Sequence, residues 1–270
     1  MLFWLAYDNH VFRNATTLTA SSTIGTFSAD HLKDKRMYRQ WRCNGVTGYV
    51  DVDFTTARDM DVLAFIGPRY VGPDNRDNLQ WFITTDQVRH YLDNTTFGAG
   101  AIYDSGWVDC GVHPDRGYHV HLPDSRKTAS KWRIQFNIAS RTTAAYFDVS
   151  LLFAATIFQP AINYGFGDQL DMLDNSLLVT VPTTGGRLTS KYDRQLSFSA
   201  PFDWIPSATD RDLWIAFNDH VGTTEPFLMG LNDTAPLGRK VMLGIQQKTS
   251  PISEQNYVYS SRDFAAVEHR

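Results

Sequence analysis

Residues Lys131-Trp132-Arg133-Ile134-Gln135-Phe136-Asn137-Ile138 alternate polar and large apolar side chains without a break. A strand turns successive side chains to opposite faces, so such a run separates a dry face from a wet one as β-structure. Tyr49-Val50-Asp51-Val52-Asp53-Phe54 repeats the pattern, with Val50, Val52 and Phe54 on one face and Asp51 and Asp53 on the other. Asp61–Ile66 is more continuously apolar and reads as a more buried strand, stopped by Gly67-Pro68. Leu79–Thr85 and Tyr146–Ala154 read as further strands, and Gly45, Gly48, Gly72-Pro73-Asp74-Asn75, Gly98, Gly100, Pro114 and Pro123 supply the turns. Helix is scarce. Ser28–Asp34 suits one short helix, with Ser28 as N-cap and Leu32 as its buried contact, and Gln87–Leu92 suits a turn or two more. No long run with a period of 3.6 exists, which excludes a βαβ architecture.

The pattern loosens near Gln159-Pro160-Ala161, where Pro160, Gly165 and Gly167 punctuate the chain. The expected organisation is therefore a first β domain over 1–160 and a smaller β-rich domain over 161–270 with a polar tail. In the second, 176–181, 195–202, 212–217, 226–231 and 240–246 read as strands. Tyr257-Val258-Tyr259 reads as an edge strand near a fraying end.

Composition narrows the function classes. Of 270 residues, 43% are hydrophobic and 20% charged, a globular balance, and the 13% aromatic share suits pleated surfaces and protein contacts. A net charge of −4 argues against nucleic acid as a main partner. The apolar start, Met1 to Tyr7, has no basic flank and is cut short by Asp8 and His10, so no export address is readable. No stretch reaches the roughly 20 apolar residues of a membrane span. Synthesis and assembly in the cytoplasm follow as the expectation. Cys43 and Cys110 sit in no CxxC pair; a disulfide and two buried thiols both remain open, and a reducing compartment favours thiols.

In the first half, the ordered set Thr17-Leu18-Thr19-Ala20-Ser21-Ser22, Phe27–Arg36, Tyr38-Arg39-Gln40-Trp41-Arg42, Val50–Phe54, Ala57-Arg58, Asp61–Ala64, Tyr103–Trp107 and Lys131–Ile134 resembles the discoidin, or coagulation-factor type C, jelly roll. The form is that seen in bacteriophage tail proteins, and it covers about residues 14–158. The resemblance implies an all-β chain: a galactose-binding-like jelly-roll β-sandwich followed by a second, smaller β domain. It further implies a tail-tip or minor tail structural protein of distal-tail type, located in the virion tail. Such a protein forms a ring of its own copies, a hexamer or a trimer, and contacts the tail tube and other tip proteins. The alternative is a carbohydrate- or receptor-binding module of the tail, with a host-surface glycan as ligand. The disulfide that ties the termini of secreted discoidin domains has no counterpart, and the relatives' sugar-binding residues find no matching positions.

Chemistry is sparse. His119-Val120-His121 can put two imidazoles on one strand face near His113, with Cys110 or Asp115 as a third metal ligand; a solvated strand edge is the alternative. Asp51 and Asp53, with Asp59 and Asp61 close by, can do acid–base work or hold calcium, or simply form a polar strand face. Asp168, Asp171 and Asp174 suit one side of a helical turn. No Gly-x-Ser-x-Gly elbow, Walker loop or His-Glu-x-x-His motif is present. The expectation is a non-enzyme with no catalytic residue and no cofactor. For partner contact, the turn-rich loop 67–78 offers Arg69, Tyr70, Asn75 and Arg76, and the apolar start offers Phe3 and Trp4. Burial of Phe3 and Trp4 within their own fold is the competing outcome.

Overall fold

A computed structural model describes residues 3–67, 82, 85–97, 100–111, 117–138, 146–162, 164, 168–173, 177–180, 187–190, 195–206, 209–231, 241–249, 251–254 and 259–269. It divides into two compact units, one of residues 1–159 with 228–241, the other of 160–227 with 242–269.

The first unit carries the strands β1 (Trp4–Ala6), β2 (Thr17–Ala20), β3 (Trp41–Asn44), β4 (Thr47–Met60), β5 (Val62–Ile66), β6 (Gln87–Asp93), β7 (Tyr103–Asp104), β8 (Val108–Asp109), β9 (Tyr118–His121), β10 (Lys127–Asn137), β11 (Tyr146–Val149), β12 (Leu151–Ala155) and β13 (Ile157–Phe158). One antiparallel sheet runs β2-β4-β10-β6-β7, with β8 also on β6; a second runs β12-β5-β9, and β11 pairs β3. Their inner faces close on one core. Val50, Val52, Phe54, Trp132, Ile134 and Phe136 come from the larger sheet, and Leu63, Phe65, Leu152 and Ala154 from the smaller. Phe65 meets Phe136 edge to face, 5.2 Å between ring centroids. The expected all-β jelly-roll sandwich is what these strands form.

The short helix over Ala29–Lys33 forms as a 3-10 turn, and the Ser28 hydroxyl accepts from the Asp30 N–H. Its Leu32 is fully buried, as is Trp41. Gln87–Leu92 is not helical but lies in β6. Val88, His90 and Leu92 turn inward there, and a buried histidine in the middle disguises the period of 2. Cys43 and Cys110 are buried free thiols.

The second unit contains β14 (Gln169–Leu173), β15 (Leu177–Thr180), β16 (Arg187–Ser190), β17 (Gln195–Pro206), α1 (Asp210–Val221), β19 (Val241–Gln246), β20 (Ser253–Glu254) and β21 (Tyr259–Glu268). Between α1 and β19 in sequence lies β18 (Phe227–Gly230), whose Leu228–Gly230 pair with β1 in the first unit. In the second unit, β21 pairs with β17 on one side and β19 on the other. From Tyr259 on, the terminal segment is thus a central strand; Tyr257 and Val258 of the expected edge strand lie outside the described residues. Its buried Ser260, Arg262, Phe264 and Ala266 alternate with the more exposed Ser261, Asp263, Ala265 and Val267.

The expected strand over 212–217 is part of α1. Trp214, Phe217 and Val221 recur at helical spacing and are buried, with Trp214 against Phe202 at 4.9 Å and Phe217 against Phe227 at 5.2 Å. Asp168 and Asp171 are exposed at strand β14 and not on a helical turn, and Asp174 lies outside the described residues. Among the described residues no helix is long and apolar enough to cross a membrane.

Candidate functional site: a groove on the outer sheet face

The alternation that buries one face of β4, β6 and β10 pushes Tyr49, Asp51, Asp53, Arg89, Tyr91, Lys131, Arg133 and Gln135 to the other. Register then decides who meets whom. Thr19, Asp51, Arg133, Tyr91 and Asp104 form one row across five strands, and Thr17, Asp53 and Lys131 the row beside it. Directly opposed side chains on one face touch.

In the first row Arg133 donates from Nε to Asp51 Oδ1 at 2.6 Å and from Nη2 to Asp51 Oδ2 at 2.7 Å. Its guanidinium lies between two rings, 4.3 Å from the Tyr49 centroid and 4.4 Å from that of Phe97. The Asp51 hydrogen bonds raise the Arg133 pKa further above its ordinary value. In the second row Lys131 Nζ is 3.7 Å from Asp53 Oδ2, and Asp53 Oδ1 accepts from the Thr55 N–H at 2.8 Å. Arg89 donates from Nε to Asp104 Oδ1 at 2.7 Å, which raises the Arg89 pKa and lowers that of Asp104.

Among the described residues this face carries two adjoining hollows. One, of about 400 Å³, has Thr17, Thr19, Asp51, Asp53, Lys131 and the Thr95–Phe97 segment on its walls. The other, of about 210 Å³, is lined by Arg89, Tyr91, Gln135 and again Phe97 and Arg133. They share Phe97 and Arg133, so the two are lobes of one open groove with an aromatic ring and a charge pair at its waist.

Sequence reasoning singled out Asp51 and Asp53 but not the cations they face. The structure makes them partners of Arg133 and Lys131, while Asp61 accepts from Arg126 at 2.8 Å and Asp59 from the Thr128 hydroxyl at 2.6 Å. Arg133 and Lys131 were legible as same-face positions of the clearest strand; what they would meet was not. Phe97 had no local signal.

The other candidates fall elsewhere. His119 is buried in the core and His121 half-buried. His119 Nδ1 is 2.6 Å from the Cys110 carbonyl and its Nε2 is 2.9 Å from His90 Nε2, while His121 Nε2 is 2.6 Å from the Tyr103 hydroxyl. The pair lies on β9, the end strand of its sheet, but His119 turns into the core and meets the Cys110 carbonyl instead of solvent. His113 and Asp115 lie outside the described residues, and no group of three or more His, Cys, Asp or Glu side chains among the described ones is arranged to hold a metal. Phe3 and Trp4 are buried, at 1% and 2% exposure, which is the competing outcome for them. Strand β1 lies between β13 and β18, and the Trp4 ring covers Gly230 of β18. Arg69, Tyr70, Asn75 and Arg76 lie outside the described residues.

No protein-family model matches the sequence, and no curated protein does. Among solved structures, the chain is similar to the family 32 carbohydrate-binding module of Clostridium perfringens NanJ in complex with galactose. The TM-score is 0.41 at 14% identity, over 57% of this chain and 99% of that one. It is also similar to chitosan-binding module 1 from a chitosanase/glucanase of Paenibacillus sp. IK-5, with TM-score 0.41 and 14% identity over 56% and 100% of the two chains. The lectin domain of lectinolysin complexed with Lewis B antigen gives TM-score 0.40 and 11% identity over 54% and 96%.

Proposed function

We propose that the chain is a non-catalytic carbohydrate-binding module, and that it holds a neutral glycan along the groove on the outer face of β2-β4-β10-β6-β7. The observation that carries this reading is the shared waist of the two lobes, where Arg133 is fixed by Asp51 and flanked by Phe97. Sugar hydroxyls both donate and accept, and a carboxylate–guanidinium pair offers both partners at fixed geometry. The Phe97 ring offers an apolar platform for the C–H face of a sugar ring. Arg133, Arg89 and Lys131 each already face a carboxylate, so an anionic sugar would have to break a pair that a neutral one leaves intact. In this role Asp51 and Asp53 are acceptors and orienting groups, not an acid–base couple.

A glycan array with the full chain, followed by calorimetry on the hits, tests the reading. Saturable binding of neutral glycans is expected, weakened at least tenfold by Phe97→Ala and by Arg133→Leu. Binding that ignores both substitutions, or no saturable binding at all, overturns it.

A second reading, assembly into a ring at a bacteriophage tail tip, draws support from the ordered motifs of the first half and from the second unit's surface. There Leu170 and Trp204 are more than half exposed, and contact with another copy of the chain would cover such side chains. Electron microscopy of particles and of the purified chain tests this. Rings of six or three copies at a tail tip support it, and a monomer at high concentration that is absent from any virion refutes it.

A further inference from the structure

The core of the first unit contains a hydrogen-bonded pair of histidines that joins its two sheets. His90 comes from β6 in the larger sheet and His119 from β9 in the smaller, both are buried, and their Nε2 atoms are 2.9 Å apart. The tautomers follow from the partners. The Cys110 carbonyl only accepts, so His119 Nδ1, 2.6 Å away, carries its proton. Neutral His119 therefore presents a lone pair at Nε2, and His90 donates to it from Nε2. His90 Nδ1 is left as a buried lone pair with no hydrogen-bond partner among the described residues.

We propose that the His90–His119 pair is a proton-operated latch between the two sheets of the first unit, closed when both rings are neutral and opened when the pair takes up a proton. A proton added at His90 Nδ1 creates a buried cation. One added at His119 Nε2 sets two N–H groups head to head unless His90 changes tautomer, and the pair still carries a buried charge. Among the described residues no carboxylate acts on the pair to offset that charge. From β9, His121 lies parallel to His90 at 4.9 Å, itself a base, with Tyr103 of β7 on its Nε2. From β10 comes the Trp132 ring at 5.8 Å, and from β5 the Phe65 ring, stacked on His119 at 5.1 Å. Asp104 of β7 is bound to Arg89 on the outer face. Burial accordingly lowers the pKa of both rings, that of His119 to about 4.

His90 is flanked in β6 by Arg89 and Tyr91, which line the groove, so opening the latch also disturbs the groove; this consequence rests on the glycan reading, whereas the latch itself does not.

The test uses the full chain without ligand. Imidazole nitrogen chemical shifts are followed by NMR from pH 8 to 4, alongside amide exchange in β6 and β9, in the wild type and in His90→Phe/His119→Phe. In the wild type the two rings keep their neutral tautomers well below pH 6.5 while exchange in β6 and β9 accelerates, up to about tenfold per pH unit for each histidine beyond the intrinsic pH effect. The double variant loses that excess acceleration. Titration of either ring near pH 6.5 with the sheets intact overturns the proposal, and so does an equal pH effect in wild type and variant. If the variant does not fold, the wild-type titration alone decides. Glycan binding at pH 7.5 is scored separately, so its absence counts against the groove and not against the latch.

Discussion

Replacing Asp148 by alanine removes the carboxylate that faces Arg42 across the β3–β11 pair. The two residues are direct cross-strand partners, and Arg42 donates from Nε at 2.7 Å and from Nη2 at 2.8 Å to the two carboxylate oxygens. The guanidinium sits between the Phe27 ring at 4.2 Å and the Tyr146 ring at 4.1 Å. Breaking a buried pair by removing one partner costs about 3–5 kcal/mol. The Asp148 side chain is 1% exposed but that of Arg42 is 20% exposed, so water relieves part of the orphaned positive charge and the expected loss is near the lower end, about 3 kcal/mol. The reverse change, Arg42→Met, strands the more deeply buried member and is expected to cost more. The double variant Arg42→Met/Asp148→Leu leaves no charge unpaired and falls closer to wild type than either single. Urea unfolding of the full chain by tryptophan fluorescence, with buried Trp41 beside Arg42 as a local reporter, measures all four corners of the cycle. A coupling of about 2 kcal/mol or more is expected; additivity within about 0.5 kcal/mol would refute the view that this pair acts as a unit.

Gly230→Ala is expected to destabilise the first unit by about 1–3 kcal/mol through overpacking, because a Cβ there would lie 2.0 Å from the buried Trp4 ring; an unchanged urea midpoint counts against that packing. Arg262→Met is expected to be neutral or stabilising, since the buried Arg262 finds Asn218 Oδ1 at 3.2 Å but no partner for Nε or Nη2 among the described residues. Its desolvation lowers its pKa to about 10, and a loss above about 2 kcal/mol on substitution refutes this account. On acidification the sign is set by depressed histidine pKa values. His119 binds its proton in the unfolded chain near pH 6.5 but in the folded one near 4, so its contribution is intact above 6.5 and declines as pH falls. The loss reaches about 3 kcal/mol by pH 4 in urea titrations at stepped pH, and stability flat from pH 7 to 5 contradicts it.

The strands of the larger sheet were legible because their pattern is local. Val50, Val52, Phe54, Trp132, Ile134 and Phe136 needed no knowledge of their neighbours to be placed inward. Where a polar residue belongs in the core, the pattern failed: His90 between Val88 and Leu92 made a strand look like a helical turn. Where an apolar run satisfies both periods, as in Asp212–Phe217, local reading chose strand. The partners of Trp214 and Phe217, namely Phe202, Phe227 and Phe264, come from distant segments, and packing against them decided for helix.

The sequence by itself determined which side chains are wet and which dry along each strand, and therefore that Asp51, Asp53, Lys131 and Arg133 would lie on outer faces. Only the tertiary structure decided that Arg133 meets Asp51, 82 positions away, that Phe97 closes over that pair, and that His90 finds His119 across the core. The reason is physical. Alternation follows from the geometry of one strand, whereas register and sheet facing depend on the summed burial of many strands, which no single segment encodes.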